Sequence, residues 1–139
     1  MYSKKNKLKI VYNAPPLSAP EMTLHIYVDG SGAPKGKYGY FVEETGKSFV
    51  QNDDSITNNE AENLAILQLF TDKIIQSNEE NVVYSDSQLV VNQINHVYAM
   101  NNEKLRLFAT RIWEEKIRYN IRFEWIPRKE NKAGKLLGS

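Results

Sequence analysis

Two short stretches of this chain place an aspartate where an apolar run ends. IYVDGSG (26–32) stops on Asp29, and VVYSDSQLV (82–90) stops on Asp86 before a second apolar run begins. A lone carboxylate at the end of a buried strand is costly unless it is paired or stays protonated. Two of them suggest a shared cation. A third acid, Glu62, lies four and seven residues before Ile66 and Leu69, on the stripe of a helix that turns toward the core. Each acid alone has a plain structural reading. Asp29 precedes a Gly-Ser-Gly turn, Asp86 is placed to cap the next helix, and Glu62 sits near a helix N-terminus where the dipole favours an acid. Three carboxylates converging on one point, in a chain without cysteine, call for hard cations such as Mg²⁺ or Mn²⁺. Paired ions about 3.5–4 Å apart suit phosphodiester cleavage.

The elements that must bring these acids together follow from the apolar patterning. LHIYVD (24–29), YGYFVEE (38–44) and SFVQ (48–51) read as three strands joined by tight turns, an antiparallel meander. Residues 56–78 form the clearest helix, opened by a capping box in which Thr57 is the N-cap and Glu60 reaches back. NVVYSD (81–86) is a fourth strand. Helices over 87–98 and 102–119 lead to a fifth strand, IRFEWIP (121–127), and NKAGKLLGS adds a terminal helical turn. The order implies an α/β fold with a mixed sheet. A right-handed crossover sets the first and fourth strands side by side and parallel, so Asp29 and Asp86 reach the same end of the sheet.

The 139 residues suffice for one domain, divided into an extension or linker at 1–22, with NAPPLSAPEM as its proline-rich part, and a folded unit at 23–139. No apolar run approaches the roughly 18 residues of a membrane span, and the N-terminus has no signal-peptide core. With no cysteine, disulfides, zinc-thiolate sites and thiol catalysis are excluded, and a cytoplasmic setting fits. Net charge is +1 but uneven: residues 43–103 carry eleven acids against Lys47 and Lys73, while 116–135 and the first ten residues are basic. Such a chain can hold a cation and a polyanion side by side.

DGSG (29–32), TNNEAE (57–62), SDSQLVVNQI (85–94) and WIPRKEN (125–131), in this order, resemble the type 1 ribonuclease H family over roughly residues 24–134. The resemblance implies a ribonuclease H-like α/β fold, a five-stranded mixed sheet with the first three strands antiparallel and helices flanking it. It implies hydrolysis of the RNA strand of an RNA–DNA hybrid by a monomer with two Mg²⁺ or Mn²⁺ ions. By matching position, Asp29, Glu62 and Asp86 are the implied catalytic metal ligands. Asn58, Asn59 and Gln88 are the implied minor-groove contacts, and Thr57 the implied contact to a DNA-strand phosphate. Amide side chains both donate and accept, which suits reading a 2′-hydroxyl. Ser31 and Gly32 would admit close approach of the substrate, and Arg128 would meet a phosphate.

The chain departs from the family pattern in three respects. The loop after the last strand has no histidine, and the link between the second and third helices is short and nearly uncharged instead of a basic protrusion. Lys4, Lys5, Lys7 and Lys9 are expected to compensate in substrate binding. The family's fourth acid, an aspartate in the last helix, aligns near Gly134 or Lys135, which have no oxygen ligand. Our expectation is that the short, glycine-containing final segment slips by about one turn, so that Asn131 becomes the fourth metal ligand, with Glu130 the other oxygen donor. The rival reading is a catalytically silent ribonuclease H-like module that binds nucleic acid or protein.

Overall fold

The computed structural model describes residues 22–96 and 102–138. The first strand, β1 (Thr23–Ser31), alternates Leu24, Ile26 and Val28 into the core, with no exposed surface at Ile26 or Val28. β2 (Lys37–Val42) and β3 (Ser48–Asn52) continue from it as an antiparallel meander. Helix α1 (Asn58–Thr71) then crosses over to β4 (Glu80–Ser85), which pairs parallel to β1 with Ile26 opposite Val83. After α2 (Gln88–His96) and α3 (Glu103–Arg118), β5 (Ile121–Trp125) adds in parallel beside β4. A turn of 3₁₀ helix at Arg128–Glu130 leads to the short α4 (Lys132–Leu136). The sheet order is β3-β2-β1-β4-β5, the five-stranded mixed sheet expected from the sequence. No described helix is long and apolar enough to cross a membrane.

The core lies between the sheet and α1. Leu24, Ile26 and Val28 of β1, Tyr40 and Val42 of β2 and Val83 of β4 meet Ala65, Ile66 and Leu69 of α1, with Ile94 and Ile112 closing the side. α1 begins where its capping box dictates. The Thr57 hydroxyl accepts from the Glu60 N–H at 3.1 Å, and the Glu60 carboxylate accepts from the Thr57 N–H at 3.0 Å. On the opposite face, α4 packs against β1 and β2, and the Lys132 ammonium lies over the Tyr27 ring and bridges to Glu43.

The helix expected over 56–78 ends seven residues early. Asp72 is its C-cap, and Lys73 takes a left-handed φ of 58° that no continuing helix allows. Ile74 and Ile75 still reach the core, but from a turn, so their place in the apolar pattern imitated a longer helix. Asn81 holds that turn. Fully buried, its amide accepts from the Gln76 N–H and donates to the carbonyls of Gln76, Glu79 and Asn120. β4 also ends at Ser85 and β5 at Trp125, each slightly short of expectation. The expected extension at 1–22, with its four lysines, lies outside the described residues except for Met22.

Asn81→Ala should expose this dependence. It removes a fully buried amide that makes four hydrogen bonds across the turn, and we expect a loss on the order of 3 kcal/mol in urea-induced unfolding. A loss within experimental error would mean that the turn after α1 does not rely on Asn81.

Candidate active site

Asp29, Glu62 and Asp86 come together at the carboxyl ends of β1 and β4. One carboxylate oxygen from each lies within 4.8 Å of the others. Asp29 and Glu62 are buried, and Asp86 is half-buried. Asp86 stands one residue beyond β4, where the chain leaves the ladder toward α2.

Local backbone chemistry sets this convergence. Gly30 faces α1, and a Cβ there would fall 2.6 Å from the Ala61 carbonyl carbon, so only glycine lets helix and strand approach this closely. That approach puts Glu62, one residue further along α1, against the end of β1. Its Oε2 accepts from the Gly30 N–H at 3.2 Å, and its Oε1 accepts from the Ser85 hydroxyl at 3.1 Å. The Ser85 hydroxyl also accepts from the Ser87 N–H, so it is itself held in place. Gly32 makes a second close contact, where a Cβ would fall 2.5 Å from the Asn58 nitrogen. The Gly32 N–H donates to Asn58 Oδ1 at 2.6 Å, which leaves the Asn58 N–H donors for a ligand.

The electrostatics match a cation-binding cluster. Burial, then the charge of Asp29, a hydrogen bond with Asp29 and the charge of Asp86, push the Glu62 carboxyl up to about 9, with Ser85 opposing. Asp29 is also raised, first by burial and then by the Asp86 charge, while hydrogen bonds from Glu62 and Gly30 and the charge of Arg128 hold it back. Three oxygen donors in one place, with the proton affinity of Asp29 and Glu62 raised, fit a hard divalent ion such as Mg²⁺ or Mn²⁺.

A cleft of about 250 Å³ opens beside the cluster, lined by Gly30, Ser31, Asn58, Asn59, Glu62, Asp86, Ser87 and Arg128. Most of the site residues expected from the sequence therefore share one surface. Thr57 and Gly32 stand immediately behind it, and Gln88 is exposed at the start of α2. The Thr57 hydroxyl accepts the cap bond and keeps its own proton to donate. The sequence reading missed Ser85, Ser87 and Gly30. Ser85 and Ser87 flank Asp86 in SDS, the one signal that could have drawn attention to them.

The placement of Asn131 corrects our expectation that it ligates a metal. Its Oδ1 accepts from the Ala133 N–H at 3.0 Å as N-cap of α4, and its Nδ2 donates to the Val28 carbonyl at 2.9 Å and to Asp86 Oδ2 at 3.0 Å. The amide thus turns its nitrogen, not its oxygen, toward the carboxylates. Glu130 is exposed in the 3₁₀ turn and outside the carboxylate cluster.

Without cations, the folded protein keeps a proton on Glu62 at pH values where the unfolded chain has released it. The folded state binds more protons in that range, so stability falls as pH rises from 4.5 toward about 9. Thermal melts in EDTA should therefore decline over this interval, and Glu62→Gln should flatten the decline and be the more stable protein at its alkaline end. A slope unchanged by Glu62→Gln would refute this account.

Comparison with known proteins agrees with the site. The family model for RNase H matches residues 21–133. No curated protein sequence gave a significant match. Among solved structures, the chain is similar to the N-terminal RNase H domain of Rv2228c from Mycobacterium tuberculosis, solved as a fusion with maltose-binding protein. The TM-score is 0.72 at 25% identity, covering 82% of this chain and 89% of that one. RNase H1 from the halophilic archaeon Halobacterium salinarum NRC-1 shares the fold, with TM-score 0.69, 23% identity and coverage of 83% and 93%. LC11-RNase H1, isolated from compost and solved in complex with an RNA/DNA hybrid, has TM-score 0.66, 27% identity and coverage of 82% and 92%. The matched sequence, the sheet order and the type 1 neighbours lead to one conclusion: this chain belongs to the RNase H family, in its type 1 branch.

Proposed function

We propose that this protein is a divalent-cation-dependent endoribonuclease that hydrolyses the RNA strand of RNA–DNA hybrids, acting as a monomer in the cytoplasm. The observation that carries the reading is the carboxylate trio at the head of a cleft lined by amide and hydroxyl side chains. A solved relative in complex with an RNA/DNA hybrid supports the substrate class. Asp29, Glu62 and Asp86 would hold Mg²⁺ or Mn²⁺, two ions in the productive complex. When bound, such ions lower the pKa of water and stabilise a leaving oxygen.

The chain's own residues bind and orient the hybrid. With its carbonyl taken by the Gly32 N–H, Asn58 faces the cleft as a donor, suited to acceptors of the minor groove such as a 2′-oxygen. Asn59 and Gln88 extend this polar strip. The Thr57 hydroxyl and the exposed Arg128 guanidinium suit the phosphates on either side. Ser31 and Gly32 keep the near wall low.

A second reading, a silent binding module of the same fold, is favoured by one feature. The segment that would supply a fourth acid offers Gly134, Lys135 and an asparagine whose oxygen is already engaged.

The two readings separate in one assay. A labelled RNA–DNA hybrid incubated with Mg²⁺ or Mn²⁺ should be cut in its RNA strand to 5′-phosphate and 3′-hydroxyl ends, with RNA–RNA and DNA–DNA duplexes spared and EDTA abolishing cleavage. Asp29→Asn and Asp86→Asn should each lower turnover by more than roughly a hundredfold, since even outer partners of a metal site cost 10–100-fold. Hybrid binding without cleavage under either cation would establish the silent module instead.

A further inference from the structure

Asp86 is the least anchored member of the trio by its own element. Asp29 is in a central strand and Glu62 in a helix, but Asp86 lies past the end of β4, half-buried and facing the Asp29 carboxylate, which repels it. Left alone, its side chain would swing toward water. Three groups from the C-terminal segment oppose this. The Trp125 indole N–H donates to the Asp86 carbonyl at 3.1 Å, and the Ile126 N–H donates to the Ser85 carbonyl at 3.0 Å, so the main chain is held from β5. The Asn131 amide holds the carboxylate itself.

We propose that Asn131 is a positioning residue, whose amide locks the Asp86 carboxylate and the end of β1 into register in place of a fourth acidic ligand. This rests on the reading that the trio binds a divalent cation.

The amide cannot be turned around. Reversed, its oxygen would face the Val28 carbonyl and the Asp86 carboxylate, both acceptors, and its N–H groups would face the Ala133 N–H. Both N–H donors and the oxygen are thus committed, at a side chain only 1% exposed. The neutral donor also suits the task. A lysine or arginine here would cancel the charge that draws a cation, and a carboxylate would add a fourth repelling group. An amide restrains Asp86 and leaves its charge available. Because the other N–H binds the carbonyl of Val28, the residue before Asp29, one side chain ties both aspartates to the start of α4.

Asn131→Ser tests the role. Serine keeps a good N-cap oxygen for α4 but has no amide to offer Asp86. Mn²⁺ affinity, read by electron paramagnetic resonance on variants shown to be folded by near-ultraviolet circular dichroism, should fall roughly tenfold. In the Asp86→Asn background, the same change should alter Mn²⁺ affinity less than about twofold, because coupled neighbours are non-additive. Parent-like affinity in folded Asn131→Ser, an equal loss in both backgrounds, or a parent that binds no Mn²⁺ would each overturn the proposal. If Asn131→Ser cannot fold, Asn131→Thr, which offers the same cap oxygen, takes its place in the cycle under the same criteria. A parent that shows the Mn²⁺ penalty but never cuts the hybrid would sink the nuclease reading and leave the positioning role standing.

Discussion

Three carboxyl groups held within 4.8 Å of one another repel, and two of them are buried as well. No positive side chain pairs with them directly: without a cation the repulsion is relieved by a proton on Glu62, which hydrogen-bonds Asp29, and Arg128 adds only a modest pull on Asp29. The scaffold must hold against this repulsion while leaving the charges unpaired, since a paired carboxylate would be a poor cation ligand. Much of what is distinctive near the site follows from that requirement.

The resistance comes from rigid elements and neutral donors. α1 is pressed onto β1 by the fit of Ala61 against Gly30, a contact that only a missing side chain permits, and behind it Ala65, Ile66 and Leu69 pack on Ile26 and Val28. The capping box fixes where α1 begins, and so which residue of TNNEAE arrives at the end of the strand. Gly30, Ser85 and Asn131 each bring an uncharged N–H or O–H to a carboxylate oxygen. Such bonds restrain the acids without discharging them, which suits a site that awaits a cation. The cost is visible in the raised proton affinity of Glu62 and Asp29.

The C-terminal segment shows how a short element can serve such a site without supplying a ligand. α4 has only five residues, Lys132–Leu136, yet its N-cap is one of the most deeply buried polar groups among the described residues. Trp125 and Asn131 reach Asp86 from opposite ends of the turn between β5 and α4, one at the main chain and one at the carboxylate. The exposed remainder, Arg128 to Glu130, is left facing solvent beside the cleft.

Much of this was legible in the residues. The apolar runs, the capping box at Thr57 and the aspartates at strand ends were enough to infer five strands, the pairing of the first with the fourth and the meeting of Asp29, Glu62 and Asp86, because crossover handedness leaves few alternatives; the place of β5 beside β4 was not inferred. What the sequence could not reveal depends on contacts between distant segments. The end of α1 was misread because Ile74 and Ile75 continue an apolar pattern that only the Asn81 network, reaching to Asn120, shows to be a turn. Ser85 passed for an ordinary strand residue until its hydroxyl met Glu62, 23 positions away. Asn131 carries the sharpest lesson: its type allowed oxygen ligation or nitrogen donation equally. The choice was made by the Val28 carbonyl, 103 residues earlier, and by the Ala133 N–H beside it, since an amide must turn its hydrogens to the acceptor and its oxygen to the donor.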